Sequence, residues 1–485
     1  MSPETAGPGS GPVDRRPFRP PRGVLQWATA GYLALLPVGM AYVVPYGGAI
    51  STLTDGLLAV LLAVGAATGL SALLGRGARA GDPGSGVATS PTAAGALALL
   101  LAFAAWALLS TVWSSVPDYA LLKGTGYVAL AAGASAVAWS GLGWSRALDA
   151  WLLGTGIALA FAFGAALVGP ESWAARVTYD GGSVRGLPFA RLSGPFPHPN
   201  GFGDYLVLSG VFLWARWPAW VARPEPASGV GGSGEGRSPW TRWAAYLGAA
   251  ALSVALILTA STAHLALGVL LLVWGRRVAR DARRGAGSTG ASLRAVLLRG
   301  AGAALAGVVL AALLVPLRAG VGDLRIATSA IRPLIWASSL EAVLAAPAVG
   351  VGSAPYLAEA ADPLSVSSGP ALWDAHNVYL SVLGQFGAVG FVILTAALWL
   401  LVRHLRRGSP GGEGPDLAVV SGVSGSSPPG PALRHRARVA LIGALLAMGV
   451  HGLAVAGEDL RHWWAVLGIA AMATSAGDAP LRAPE

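Results

Sequence analysis

Residues 376–402 read HNVYLSVLGQFGAVGFVILTAALWLLV, and positions 378–402 hold no Asp, Glu, Lys or Arg. As an α-helix, such a run covers the roughly 30 Å of hydrocarbon in a bilayer. Comparable apolar runs lie at about 24–45, 52–74, 93–113, 121–140, 148–168, 201–221, 243–261, 262–275, 296–317, 438–456 and 462–476. Composition agrees. Of 485 residues, 54% are hydrophobic and only 12% charged, with a mean hydropathy of +0.60, whereas a soluble domain needs a far more charged surface. The 68 glycines, with abundant alanine, predict helices that approach closely through small residues. The expected fold class is an all-α polytopic membrane protein of about twelve spans, since helices satisfy their own backbone in lipid.

The formal charge of +10 does not point to nucleic acid, because the arginines sit in short loops between apolar runs, as the positive-inside rule places them. Taking the Pro/Gly/Arg tail at 1–22 as cytoplasmic, the loops holding Arg76 and Arg79, Arg146, Arg216 to Arg242, Arg276 to Arg294 and Arg403 to Arg438 all fall on the same side. That bias is self-consistent only if 243–275 is a hairpin of two spans rather than one bent helix. The membrane domain then covers 23–476, with both termini cytoplasmic and a short cytoplasmic tail at 477–485. The tail at 1–22 is too long and Pro-rich for a cleaved signal peptide. Two cytoplasmic loops, 224–239 and 408–431, are Gly/Ser/Pro-rich and read as flexible. The outward loops 169–200 and 318–375 are long and hold Trp, Tyr, Arg and Asp, the kind of loop that carries function. Lys123 is the one lysine, so no Walker-type loop exists, and there is no cysteine for disulfides or thiolate chemistry. No metal site and no cofactor are expected. No repeat of fixed period supports an inverted-repeat transporter.

Chemistry-bearing residues concentrate in 331–391. Ile331-Arg332-Pro333-Leu334-Ile335-Trp336 opens it, Pro347 and Gly350-Val351-Gly352 follow, and Ala375-His376-Asn377-Val378-Tyr379 leads into a span punctuated by Gly384, Gly387 and Gly390. Pro333 suits the first position of a helix running to about Ala346. Arg332 beside that positive helix end reads in two ways: as part of an anion site, or as an interfacial arginine reaching for headgroups. Asp374 is placed to cap the next span, and His376 follows it. The helix dipole there favours a neutral imidazole and Asp374 a protonated one, and a neutral His376 is competent as a general base. The other reading is an interface hydrogen bond. Asn377 and Tyr379 either orient neighbours or touch a substrate. The Gly-x-Gly lacks a strand–helix setting and is not a dinucleotide loop.

A second stretch, Arg191-Leu192-Ser193-Gly194-Pro195-Phe196-Pro197-His198-Pro199-Asn200-Gly201-Phe202, is a Pro/Gly turn with Asn200 placed to cap the sixth span. Arg185, Arg191 and His198 lie on the outward side, against the positive-inside trend, which favours anion binding for them.

Together these stretches resemble the O-antigen ligase/polymerase superfamily. Its pattern is a Gly-x-Phe-x-(Asn/His)-Pro-Asn turn entering a span, then a long outward loop with Arg-x3-Trp, Pro and Gly-x-Gly, then His-Asn before a Gly-punctuated span. Here these are Gly194 to Asn200, Arg332 and Trp336, Pro347, Gly350 and Gly352, and His376 and Asn377. Trp113-Ser114-Ser115-Val116-Pro117-Asp118 and Glu458-Asp459-Leu460-Arg461-His462-Trp463 are also similar. The resemblance covers most of the chain from about residue 100 onward. It implies a GT-C-like helical fold with short helices in the outward loop between spans nine and ten. It also implies transfer of a glycan from a polyprenyl-pyrophosphate donor to a hydroxyl of a glycan, lipid or wall-polymer acceptor. His376 and Arg332 are then the catalytic pair. Arg191, Arg185, His198, Asn200, His264, Trp336, Asn377 and Tyr379 are the substrate-binding set. The pattern departs at Ala260-Ser261-Thr262-Ala263-His264, where many members carry Ser-Arg to hold the pyrophosphate; Arg191 or His264 stands in for that arginine.

The class of reaction expected is metal-independent, inverting glycosyl transfer at the outer face of the cytoplasmic membrane of a bacterium. Two alternatives stay open. One is a transporter or flippase of lipid-linked sugars or small anions, which calls for ionisable residues deep in the membrane. The other is a non-catalytic partner in envelope-glycan assembly, motivated by the missing arginine.

Overall fold

The computed structural model describes residues 22–39, 43–46, 49–75, 90–168, 179–183, 190–196, 199–221, 239–259, 335–353, 375, 377–407, 431–453 and 460–472. Its helices are α1 (Arg22–Gly39), α2 (Leu53–Gly75), α3 (Pro91–Leu109), α4 (Pro117–Trp139), α5 (Trp144–Val168) and α6 (Pro199–Val221). These are followed by α7 (Pro239–Leu258), α8 (Ile335–Ala345), α9 (Val378–Arg407), α10 (Pro431–His451) and α11 (Arg461–Met472). Five of them open on proline: α3, α4, α6, α7 and α10. The ring's fixed φ suits the first helical position, and its missing N–H is one that no helix would have bonded. Ser90 completes this signal at α3, its hydroxyl accepting from Ala93 N at 3.2 Å. Among the described residues, Pro91–Val112, Pro117–Trp139, Trp144–Ala165 and Val378–Arg407 are long and apolar enough to cross a membrane.

The helices alternate in direction. Trp217 meets Tyr246 with ring centroids 5.2 Å apart and Gly210 faces Leu252, so α6 and α7 are antiparallel. Arg436 stacks over Trp214 near the other end of α10 from His451, which meets Asp204, so α6 and α10 are antiparallel too. Ser90 at the start of α3 meets His404 in the last turns of α9 at 2.7 Å. The bundle thus has an Asp204 end and a His404 end. α7 finishes and α9 begins at the Asp204 end. The spans expected at 262–275 and 296–317 lie outside the described residues.

The core forms where α3, α4, α9 and α11 meet. Phe103, Tyr127 and Phe386 pack edge to face at 5.5–5.8 Å between centroids. Glycine supplies the close approach: a Cβ on Gly154 would stand 2.6 Å from Ala34 O of α1, and one on Gly468 2.6 Å from Ala134 O of α4.

One expected boundary needs correction. The first span stops at Gly39 rather than 45, and β1 (Val43–Tyr46) pairs antiparallel with β2 (Ala49–Thr52) before α2. A second ribbon, β3 (Tyr179–Ser183) with β4 (Ala190–Leu192), stands in the loop at 169–200. The fold is therefore helical with two small ribbons between spans. β-Branched Val43, Val44 and Ile50 favour extended backbone in the first. The tails at 1–22 and 477–485 lie outside the described residues except for Arg22, and the loops at 224–239 and 408–431 except for Pro239 and Pro431. Of the long loop at 318–375, residues 335–353 and 375 are described. They include α8, which ends one residue short of the expected Ala346.

Candidate functional site

The Gly-x-Gly of the long loop has a structural partner that the sequence did not disclose. α9 is broken at Gly387, whose φ of 63° and ψ of −170° are non-helical. A break strips the neighbouring peptide groups of their i→i−4 partners, and in lipid each must find another. Residues 347–352 supply them. Val351 N donates to Gly384 O at 2.9 Å and Gly352 N to Gln385 O at 3.0 Å, while Ala388 N donates to Pro347 O at 2.9 Å and Val389 N to Ala348 O at 3.1 Å. Trp106 Nε1 takes up Phe386 O at 3.0 Å. Gly350 and Gly352 have φ of 73° and 83°, and a Cβ on Gly350 would fall 2.3 Å from Gln385 O. Only glycine satisfies both the positive φ and the contact. From the other side, Trp113 Nε1 donates to Gly350 O at 3.1 Å and Ser114 Oγ to Ser353 O at 3.0 Å. The Trp113-Ser114 element and the Gly-x-Gly are thus two halves of one clasp.

α8 runs from Ile335 into this clasp. At its start, Trp336 Nε1 donates to Ala375 O at 2.9 Å. Asn377 caps α9: its Oδ1 accepts from Tyr379 N at 3.0 Å and Leu380 N at 3.1 Å, while Asp374, the expected cap, lies outside the described residues. Its amide donates to Leu453 O at 3.3 Å, Val378 N to Gly452 O at 2.7 Å, and the Tyr379 hydroxyl to Gly449 O at 2.6 Å. Asn377 and Tyr379 therefore join α9 to the end of α10.

Beside this junction lies a buried polar cluster absent from the expected site. Asp204 in α6 is fully buried. Its Oδ1 stands 2.6 Å from His451 Nδ1, its Oδ2 stands 2.7 Å from His462 Nε2, and Trp463 Nε1 donates to Oδ2 as well. Both histidines are buried. The cluster ties α6, α10 and α11, and Arg461 grips Asp55 of α2 with two bonds of 2.7 and 2.8 Å. One signal could have found Asp204: it is an acid one turn inside an apolar run, where an unpaired carboxylate is costly.

Between α3, α9, α10 and α11 an apolar cleft opens, walled by Phe103, Tyr379, Phe391, Met448, Trp463 and Trp464 among others. Tyr379 and Trp463 have their polar atoms bonded to Gly449 O and Asp204, which leaves their rings to the cleft.

Of the expected site residues, Trp336, Asn377 and Tyr379 are brought together here. Arg332, His376, Arg185, His198 and His264 lie outside the described residues. Arg191 is the middle residue of β4, with its side chain outside the description. Asn200 does not cap the sixth span, because Pro199 opens α6 and Asn200 stands within the first turn, half-buried.

No curated protein matches the chain. The family model described as O-antigen ligase matches residues 247–395, a stretch that takes in α8, residues 347–352, the break at Gly387 and the positions of Arg332 and His376. It supports an O-antigen ligase-like membrane glycosyltransferase at the level of family. With the helical bundle of a multi-pass membrane protein around it, the match supports placing the chain in the O-antigen ligase/polymerase superfamily.

Proposed function

We propose that this protein transfers or polymerises a glycan carried on a polyprenyl pyrophosphate, joining it to an acceptor hydroxyl at the outer face of the cytoplasmic membrane. The observation that carries the reading is the O-antigen ligase match over 247–395, the stretch that holds both Arg332 and His376. In this scheme His376 takes the proton of the acceptor hydroxyl, and the oxygen attacks the anomeric carbon. The bond to the pyrophosphate oxygen breaks on the opposite face, inverting the centre. Arg332, with Arg191 or His264 in place of the missing loop arginine, neutralises the departing pyrophosphate through charge-assisted bonds. Guanidinium groups supply the charge, so no metal is required. The aromatic-walled cleft beside the start of α9 suits the lipid portion of the donor.

A broken helix and a buried acid are features of transporters as well, so transport of lipid-linked sugars is the second reading. Two details weigh against it. Residues 347–352 already occupy the backbone groups freed at Gly387, and Asp204 is already engaged by two imidazoles and an indole. The test incubates the purified chain in nanodiscs with a polyprenyl-pyrophosphate-linked oligosaccharide and a panel of glycan acceptors. Glycosyl transfer predicts extended product with an inverted linkage and an equal amount of free polyprenyl pyrophosphate. Movement of intact donor across sealed vesicles, with no product, would establish the transporter instead.

A further inference from the structure

The second half of α9 carries a stripe that the glycan chemistry does not use. Val392, Trp399, Arg403 and Arg406 follow one another at spacings of seven, four and three residues, so they line one face of the helix. Ala397, Leu401, His404 and Leu405 belong to the opposite side and are buried, and His404 is pinned to Ser90 of α3 at 2.7 Å. Val392 and Trp399 are 61% and 57% exposed, as side chains that meet lipid are. One turn on, the Arg403 guanidinium stacks over the Trp399 ring at 5.0 Å. Stacking uses only the face of the guanidinium; its fork of N–H donors lies at the edge, in the geometry that a phosphate takes. Arg406 follows on the same face and is exposed.

Charge at this end is one-sided. α9 closes on Arg403, Arg406 and Arg407, and Arg434, His435, Arg436 and Arg438 lie in the first turns of α10. Among the described residues the one acid at this end is Asp149, and Arg216 holds it with bonds of 2.7 and 2.6 Å. A lipid-facing indole beneath arginines at the end of a span is the arrangement that meets headgroups. We propose that Val392, Trp399, Arg403 and Arg406 form a site for an anionic phospholipid of the leaflet at the His404 end. Its phosphodiester sits between the two guanidinium groups, and an acyl chain runs along Trp399 and Val392. Free phosphate offers the same oxygens but nothing for the apolar half of the stripe, which favours the lipid. The site is separate from glycan transfer and stands or falls without it.

The full chain, purified in detergent, is titrated with dioleoylphosphatidylglycerol or with dioleoylphosphatidylcholine, and bound lipids are counted by native mass spectrometry. The parent protein should retain phosphatidylglycerol in preference. Arg403→Gln and Arg406→Gln should each lower that preference about fivefold, while Arg407→Gln, beside the stripe, leaves it nearly unchanged. The two lipids are compared within each variant, and size-exclusion profiles are matched, so a general loss of fold does not imitate the result. No preference in the parent protein, or an equal loss in Arg407→Gln, would reduce the arginines to diffuse positive charge and overturn the proposal. Release of the bound lipid by inorganic phosphate at the lipid's own concentration would overturn it too, making the site one for a free anion.

Discussion

Asp204 shows how one side chain can organise the end of a helical bundle. Its carboxylate faces His451 and His462 at 2.6 and 2.7 Å with no water-exposed surface on any of the three beyond a few per cent. Removing it takes this acceptor from two imidazoles and an indole, and a buried polar group left unsatisfied costs about 1–3 kcal/mol. Asp204→Ala is therefore expected to unfold at clearly lower temperature in detergent, while Asp118→Ala, on the exposed first turn of α4, shifts little. Equal melting of the two variants would show that the cluster does not hold the fold. The proposed chemistry places a different demand on Arg332. Arg332→Ala should weaken donor binding and turnover together, because its partner is charged in the ground state and gains charge on departure. Arg332→Lys should recover little, since one ammonium cannot reproduce a bidentate grip on phosphate. Donor titration and initial rates on both variants separate the two effects, and wild-type behaviour of Arg332→Lys would count against a bidentate role. Arg332 and His376 were singled out in sequence because ionisable residues stand out in a loop between apolar spans, and both lie outside the described residues. Asp204 and His451 were not singled out: they sit in different helices, and only the folded chain brings them within 3 Å.

At the scale of elements, the clasp between residues 347–352 and α9 accounts for the glycines of the long loop. Gly350→Ala drives a Cβ to 2.3 Å from Gln385 O at a φ of 73°, so both backbone strain and the lost bonds act against it. Gly248 in α7 has nothing within 4 Å of a Cβ, and there alanine should be neutral or stabilise by up to about 1 kcal/mol. Thermal unfolding of the two variants in one detergent checks this, and a Gly350→Ala protein as stable as Gly248→Ala would mean that the clasp does not form. Sequence reasoning could reject a dinucleotide loop for Gly350-Val351-Gly352, because no strand–helix unit surrounds it. It could not find the partner, because the break at Gly387 lies in a span whose composition reads as one continuous helix. Helix starts were easier where proline marked them. The caps were not: Asp374 and Asn377 are both good capping residues three positions apart, and Asn200 directly follows the Pro199 that in fact opens α6.

For the whole molecule, apolar runs separated by arginine-bearing loops anticipated the described helices to within a few residues at most boundaries. The main departures are the start of α10 at Pro431, where basic and polar residues extend the helix ahead of the apolar run at 438, and the early end of α1. With two spans between α7 and α9, the twelve-span arrangement predicts both termini on the cytoplasmic side. A reporter fused after Pro226 should read cytoplasmic and one inserted near Ser367 external; the same side for both would contradict it. That topology puts α8, the clasp and the Asp204 end on the outer face, where a lipid-linked glycan would meet its acceptor. The claim is tested most directly by comparing the parent protein with His376→Ala, both shown to be folded, in nanodiscs supplied with a polyprenyl-pyrophosphate-linked oligosaccharide and acceptor. The account predicts transfer and stoichiometric release of polyprenyl pyrophosphate by the parent, and roughly 10²–10⁴-fold less by His376→Ala with donor binding nearly intact. Undiminished transfer by a well-folded His376→Ala protein would contradict it.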